Sequence, residues 1–291
     1  MPSSVPRFIE LNSIFFSEEA CISYLFEHEV LVSPSSCQTC EGRIKRNGLR
    51  FRCTRNECRK SFSIFTGSFF AGQCLKCSDI LHIGYLWLTK CTNQTIIQHT
   101  GHSEHTITSY MKYFRQLVGE AADSDDTIIG GEGVIVEVDE TKIGKRKYNR
   151  GHRVNGAWVI VGVERTNERL LFAEVVQDRS ANTIEAVLSR HIAEGSIIHT
   201  DCWRGYASIS ERFNVVHATV NHSLWFRDQE TGVHTNTVEG TNYAIKRAIP
   251  TRCRTQEQVS EFLLEFIWRR KNKNQLWISF IHAFKEVLYD Q

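Results

Sequence analysis

No stretch of the 291-residue chain reaches the roughly 18 consecutive apolar residues of a membrane span, so no transmembrane helix is expected. Prolines number only four, which argues against long disordered tracts. The first residues, MPSSVPRFIELNSIFF, lack a basic stretch followed by an apolar core, so a secretion signal is not expected either. An intracellular location follows: cytoplasmic, or nuclear in a eukaryotic host. There, ten cysteines read as metal ligands or buried thiols rather than disulfides. An excess of one charge is also missing. The net charge is +2, which selects no partner.

The distribution of charge says more. Residues 41–60, EGRIKRNGLRFRCTRNECRK, hold eight Lys/Arg against two acids, and 142–153, KIGKRKYNRGHR, hold six bases and no acid. Lys246, Arg247, Arg252 and Arg254 form a third group, and RRKNK from Arg269 a fourth. Each run alone is usually a solvated face. Four of them, each beside a candidate site, favour a polyanion.

The spacing divides the chain into a helical lead-in over 1–36, a cysteine-bearing unit over 37–66, helices over 67–118, a linker over 119–133 and a larger unit over 134–291. In the second segment, Cys37-x-x-Cys40 and Cys53-x4-Cys58 offer two knuckles of paired thiolates, the pattern of a structural zinc ribbon. Little between them is apolar. Zinc, worth roughly 10–16 kcal/mol in finger peptides, could supply the missing folding energy. Cys74-x-x-Cys77 opens an apolar run in which a helix would bury both thiols, so it is set aside as a ligand pair. Residues 92–118 read as two helices broken at Gly101, with Ser103 as cap and Ile107, Tyr110, Met111, Phe114 and Val118 as buried stripe. That is helix-turn-helix spacing, with Lys112 and Arg115 as its bases, and a purely structural hairpin has the same pattern.

From Val134 the pattern turns to strands. VIVEVDET, AWVIVGVERT and RLLFAEVVQD are followed by the helix SANTIEAVLSRHI, the strands SIIHTD and FNVVHATV, and two helical regions. This is the element order of a ribonuclease-H-like α/β fold. Asp139 and Asp201 each end an apolar strand, where a carboxylate is costly unless paired or metal-bound. A single strand-end Asp is usually a turn or cap residue. The helix HTNTVEGTNYAIKR adds Glu239, on one polar face with Asn236, Tyr243 and Lys246. Asn236 and Glu239 also fit a capping box. Three carboxylates aimed at one sheet edge suit magnesium or manganese. Glu137, on the same strand face as Asp139, is the nearest rival ligand, while Glu140 points the other way.

The stretches VEVDETKIGKRKYNRG, GAWVIVGVER, HTDCWRGY and HTNTVEGTNYAIKR, with the trailing EFIWRR, together resemble the Merlin superfamily of DDE transposases and its bacterial insertion-sequence relatives. They cover most of 134–270, and their order and spacing agree. CTRNECRKSFSIFTGSFF is similar to the zinc-ribbon end of such proteins. The resemblance implies a ribonuclease-H-like DDE catalytic domain behind a small zinc ribbon and a helix-turn-helix-like unit. It implies an acidic triad of Asp139, Asp201 and Glu239 holding two magnesium or manganese ions, with Lys246 beside it; Asn236 is a rival third member because some relatives use Asn. It further implies cut-and-paste transposition by a homo-oligomer on terminal inverted repeats and target DNA, with structural zinc on Cys37, Cys40, Cys53 and Cys58. Lys112, Arg115, Lys145, Arg146, Lys147, Arg150 and Arg247 are the expected DNA contacts. Two other readings stand beside it, a domesticated DNA-binding regulator and a nuclease for RNA:DNA hybrids.

Overall fold

Ser17, Thr92, Ser103 and Ser180 each stand just before a helix and accept a backbone N–H of its first turn, from Ala20, Thr95, Thr106 and Thr183. These local bonds start α2 (Glu18–Glu27), α4 (Asn93–Thr100), α5 (Glu104–Ala121) and α6 (Ala181–His191) of the computed structural model. The structure describes residues 4–122, 127–144, 156–207, 209, 215–220 and 233–287. The chain divides into two units, Met1–Ala121 with Asn272–Gln291, and Ala122–Lys271.

The first unit holds α1 (Phe8–Phe16), α2, a three-stranded antiparallel meander of β1 (Ile44–Asn47), β2 (Arg50–Cys53) and β3 (Ser61–Ser63), then α3 (Cys77–Leu88), α4 and α5. Gly101 takes the left-handed conformation at the end of α4 (φ 71°), which lets the chain turn into α5. The start of α3 has no side-chain cap of its own. Instead the Glu18 carboxylate accepts the N–H groups of Cys77 and Ser78. The last helix, α9 (Leu276–Glu286), belongs here as well, although its position in the sequence placed it with the 134–291 unit. The reason is aromatic packing. Trp277 meets Phe15 edge-on, Phe280 meets Trp87 and Phe114, and the Trp277 indole donates to the Tyr24 hydroxyl at 2.9 Å. Cys77 is buried at the start of α3, but Cys74 lies before the helix and is exposed, against the expectation that both thiols would be covered.

The second unit is built on a five-stranded sheet in the order β10-β9-β5-β6-β7. β5 (Ile135–Ile143), β6 (Ala157–Glu164) and β7 (Leu171–Val176) form the antiparallel side; β9 (Ile197–Asp201) lies parallel to β5, and β10 (Val216–Val220) parallel to β9. Side chains alternate between two buried faces. Val136, Val138, Ile160 and Phe172 pack with Ile184, Val187 and Leu188 of α6. On the other face, Ile143, Val159, Val161 and Val163 pack with Val238 and Ile245 of α7 (Asn236–Ala248) and with Val259 and Leu263 of α8 (Gln256–Lys271). The expected 119–133 linker is not plain linker. α5 continues into it to Ala121, and β4 (Ile129–Gly130) pairs in parallel with β8 (Ile192–Ala193). No helix among the described residues is long and apolar enough to cross a membrane.

Candidate active site

Strand register brings the first two acids together. β5 and β9 pair in parallel as Ile135↔Ile197, Val136↔Ile198 and Glu137↔His199. Two residues further along each strand stand Asp139 and Asp201, on the same face as the Glu137/His199 pair, and adjacent strands lie about 4.8 Å apart. The third acid arrives on α7, which packs on this face of β5 and β6. Asn242 of α7 donates from Nδ2 to Asp139 Oδ2 at 2.8 Å, and Glu239 lies one turn earlier on the helix. Burial, and then the charges of Asp201 and Glu239, push the Asp139 carboxyl up to about 6, against the opposing bonds from Glu140 N–H and Asn242.

Local bonds orient each acid. The Trp203 N–H donates to Asp201 Oδ1 at 2.9 Å, and the Thr235 hydroxyl donates to Glu239 Oε1 at 3.1 Å. Thr235 is the cap residue of α7, yet its side chain makes no cap bond. The capping box expected from Asn236 and Glu239 is not what starts this helix. Asn236 is its first residue and is exposed. The N–H groups of Thr237 and Val238 donate instead to Glu137 Oε2, at 2.7 and 3.0 Å.

The opposite face of β5 carries Glu140. Burial pushes its carboxyl up to about 7, opposed by the Tyr206 hydroxyl beside it. Past the end of β9, the Arg179 guanidinium lies 4.0 Å over the Trp203 ring and 4.7 Å over that of Trp158, which Lys142 also approaches at 5.2 Å. Trp203 is exposed.

Lys246 is half-buried two turns after Glu239 on α7, and Arg247 next to it is exposed, with its guanidinium 5.8 Å from the Tyr243 ring. Lys112 is exposed on α5 and Arg115 half-buried. Lys145, Arg146, Lys147, Arg150, His152 and Arg153 lie outside the described residues. Asn242 is the site residue that sequence reasoning missed. It occupies the buried stripe Val238, Thr241, Asn242, Ile245, and an amide in such a stripe was the available signal. Its Oδ1 is buried with no hydrogen-bond partner among the described residues.

The donor set fits hard divalent cations: three carboxylates, one of them raised by burial and then by the charges of the other two, beside an amide oxygen left without a donor. The acids do not close into a tight ligand group. Among the described residues such a group is formed by Cys37, Cys40, Cys53 and Cys58, whose sulfurs all lie within 4.8 Å of one another. Cys37 Sγ stands 3.8 Å from Cys58 Sγ, and Cys40 Sγ 3.5 Å from Cys53 Sγ. Zinc–sulfur bonds of about 2.3 Å make tetrahedral edges of about 3.8 Å, so the cluster is compatible with zinc. Backbone N–H groups of Thr39 and Cys40 aimed at the Cys37 sulfur hold that thiol down to about 6.

A family model, the ISXO2-like transposase domain, matches residues 116–271, from within α5 to the end of α8. The match spans more than half of the chain, and the protein belongs to this family of DDE transposases. No curated protein matches it. Among solved structures, a pre-cleavage Mos1 transpososome is 9% identical, covering 69% of this chain and 78% of that one at a TM-score of 0.23. A Mos1 strand transfer complex is 12% identical, covering 72% and 78% at a TM-score of 0.24.

Proposed function

We propose that the chain is a DNA transposase that cuts a strand at the end of its element and joins the freed 3′ hydroxyl to target DNA. Asp139, Asp201 and Glu239 would hold magnesium or manganese on the α7 face of a ribonuclease-H-like sheet. The observation that supports this reading is the β5–β9 register, which carries Asp139 and Asp201 each two residues beyond the Glu137/His199 pair, with α7, the helix of Glu239, bonded to Asp139 through Asn242. When bound, such ions activate the attacking oxygen and stabilise the leaving oxygen of an in-line phosphoryl displacement. The chain's own residues prepare the site. Asn242 holds the Asp139 carboxylate, Thr235 holds that of Glu239, and Lys246 offers a cation to a phosphate two turns along. Zinc on the four cysteines would staple the meander, leaving its basic strands and the α4–α5 pair for the inverted repeats. Phosphate contacts of that kind make DNA binding weaken steeply with salt. A homo-oligomer follows from the need to bring two ends together.

The test is cleavage of DNA carrying the element's ends, in magnesium or manganese. The full-length chain is expected to nick at the element boundary, and Asp139→Asn or Glu239→Gln to lower the rate by about 10²–10³-fold or more. End binding without a nick in either metal would overturn the reading and leave a DNA-binding regulator.

A further inference from the structure

Glu137 is fully buried, and an ionised carboxylate in such a place is costly unless every side of it is matched. Here one oxygen is matched by hydrogen bonds and the other only by ion-pair contacts. Oε2 takes the N–H groups of Thr237 and Val238, the free donors at the positive end of α7. Oε1 faces Arg165 Nε at 3.4 Å and His234 Nδ1 at 3.3 Å. Arg165 also meets His234 Nε2 at 2.6 Å. A guanidinium can only donate, so His234 Nε2 accepts; the Nδ1 contact to Glu137 is close without being a hydrogen bond.

Glu137 stands two residues before Asp139 on the same face of β5, and the N–H groups it holds belong to the two residues just before Glu239. The first and third acids are thus connected through one carboxylate: two strand residues, a pair of charge-assisted hydrogen bonds, and one helix residue. The helix's own cap side chain, Thr235, is turned away to Glu239. Capping from the strand replaces capping from within the helix, and it fixes the helix to the strand that carries Asp139.

We infer that Glu137 is a positioning residue that sets the separation between Asp139 and Glu239, and that it touches neither cation nor DNA. This rests on the proposal that those acids hold the divalent cation. The deciding experiment is a double-mutant cycle on the full-length chain without DNA, reading manganese affinity by calorimetry. Asp139→Asn calibrates it. Glu137→Ala is expected to weaken manganese binding about 10–100-fold, as loss of an outer partner does, while circular dichroism shows α7 retained. In a Glu239→Gln background the same substitution is expected to have little further effect, because its action passes through Glu239. Equal losses in both backgrounds, or no loss in the first, would overturn the inference. Should Glu137→Ala fail to fold, Glu137→Gln, which keeps an acceptor for the two N–H groups, enters the same cycle with a smaller expected loss and the same criterion. If Asp139→Asn leaves manganese binding unchanged, the cation site itself is wrong; if only the Glu137 variants are silent, the site stands and the clamp falls.

Discussion

Gly84 lies in the middle of α3, where glycine costs about 1 kcal/mol relative to alanine. Its place is explained by what faces it. A Cβ there would come within 2.5 Å of the Phe280 ring, which is fully buried and packed between Trp87 and Phe114. Gly84→Ala is therefore expected to destabilise the protein despite the better helix former, since overpacking costs about 1–3 kcal/mol. Urea unfolding measures it, and a raised midpoint would show that the ring can give way. The contrast with Asn242 is instructive. Both positions interrupt an apolar pattern, one to admit a neighbour's ring and one to hold a carboxylate. The sequence shows the interruption but not the neighbour. Asp139 and Asp201 were legible because the apolar run before each makes a carboxylate anomalous, but only Asp201 ends its strand; Asp139 stands in the middle of β5, which continues to Ile143 because Thr141 and Ile143 still pair with β6. Glu137 was legible only as a rival ligand, because its true partners, two backbone N–H groups, have no letter in a sequence.

At the scale of elements, α6 is tied to β7 by one carboxylate. Glu174 receives Arg190 at 2.5 Å and His191 Nε2 at 3.2 Å, and His191 stacks on Phe172. The His191 bond and then Arg190, against burial, hold the Glu174 carboxyl down to about 2. Its unfolded value is about 4.3, so the folded chain binds fewer protons between these limits. The stability it lends is fully present above about pH 4.3 and lost as pH falls through about 2. Glu174→Gln is expected to flatten the acid limb of a stability profile over that window and to leave the slope above pH 5 as it was. Unfolding midpoints measured across pH 2–6 test this, and an unchanged limb would refute it. The strands and helices of the second unit were readable from period 2 and period 3.6 because each presents an apolar face to a common sheet. Caps supplied from another element were not readable. Glu18 serves α3 as Glu137 serves α7, and neither bond is local in sequence.

For the whole molecule, the boundary that sequence reasoning drew at 133 and carried to 291 failed at its far end. The periodicity of residues 276–286 announces a helix with an apolar face, but amphipathic spacing is silent on which core receives it. Removing residues 272–291 is expected to strip Trp277, Phe280 and Phe284 from the first unit while the sheet of the second folds as before. Calorimetry should then show one transition lost or lowered and the other retained, with new binding of an apolar dye. Simultaneous loss of both transitions would mean that the second unit depends on this helix.

The arrangement has a temporal side. During synthesis residues 1–121 leave the ribosome before the 122–271 unit, and the helix that completes their core leaves after it. The 122–271 unit would be finished while the first unit still waits with an apolar face uncovered. A product broken off before that helix would thus carry a finished sheet together with an incomplete first core, a form prone to stick and be degraded.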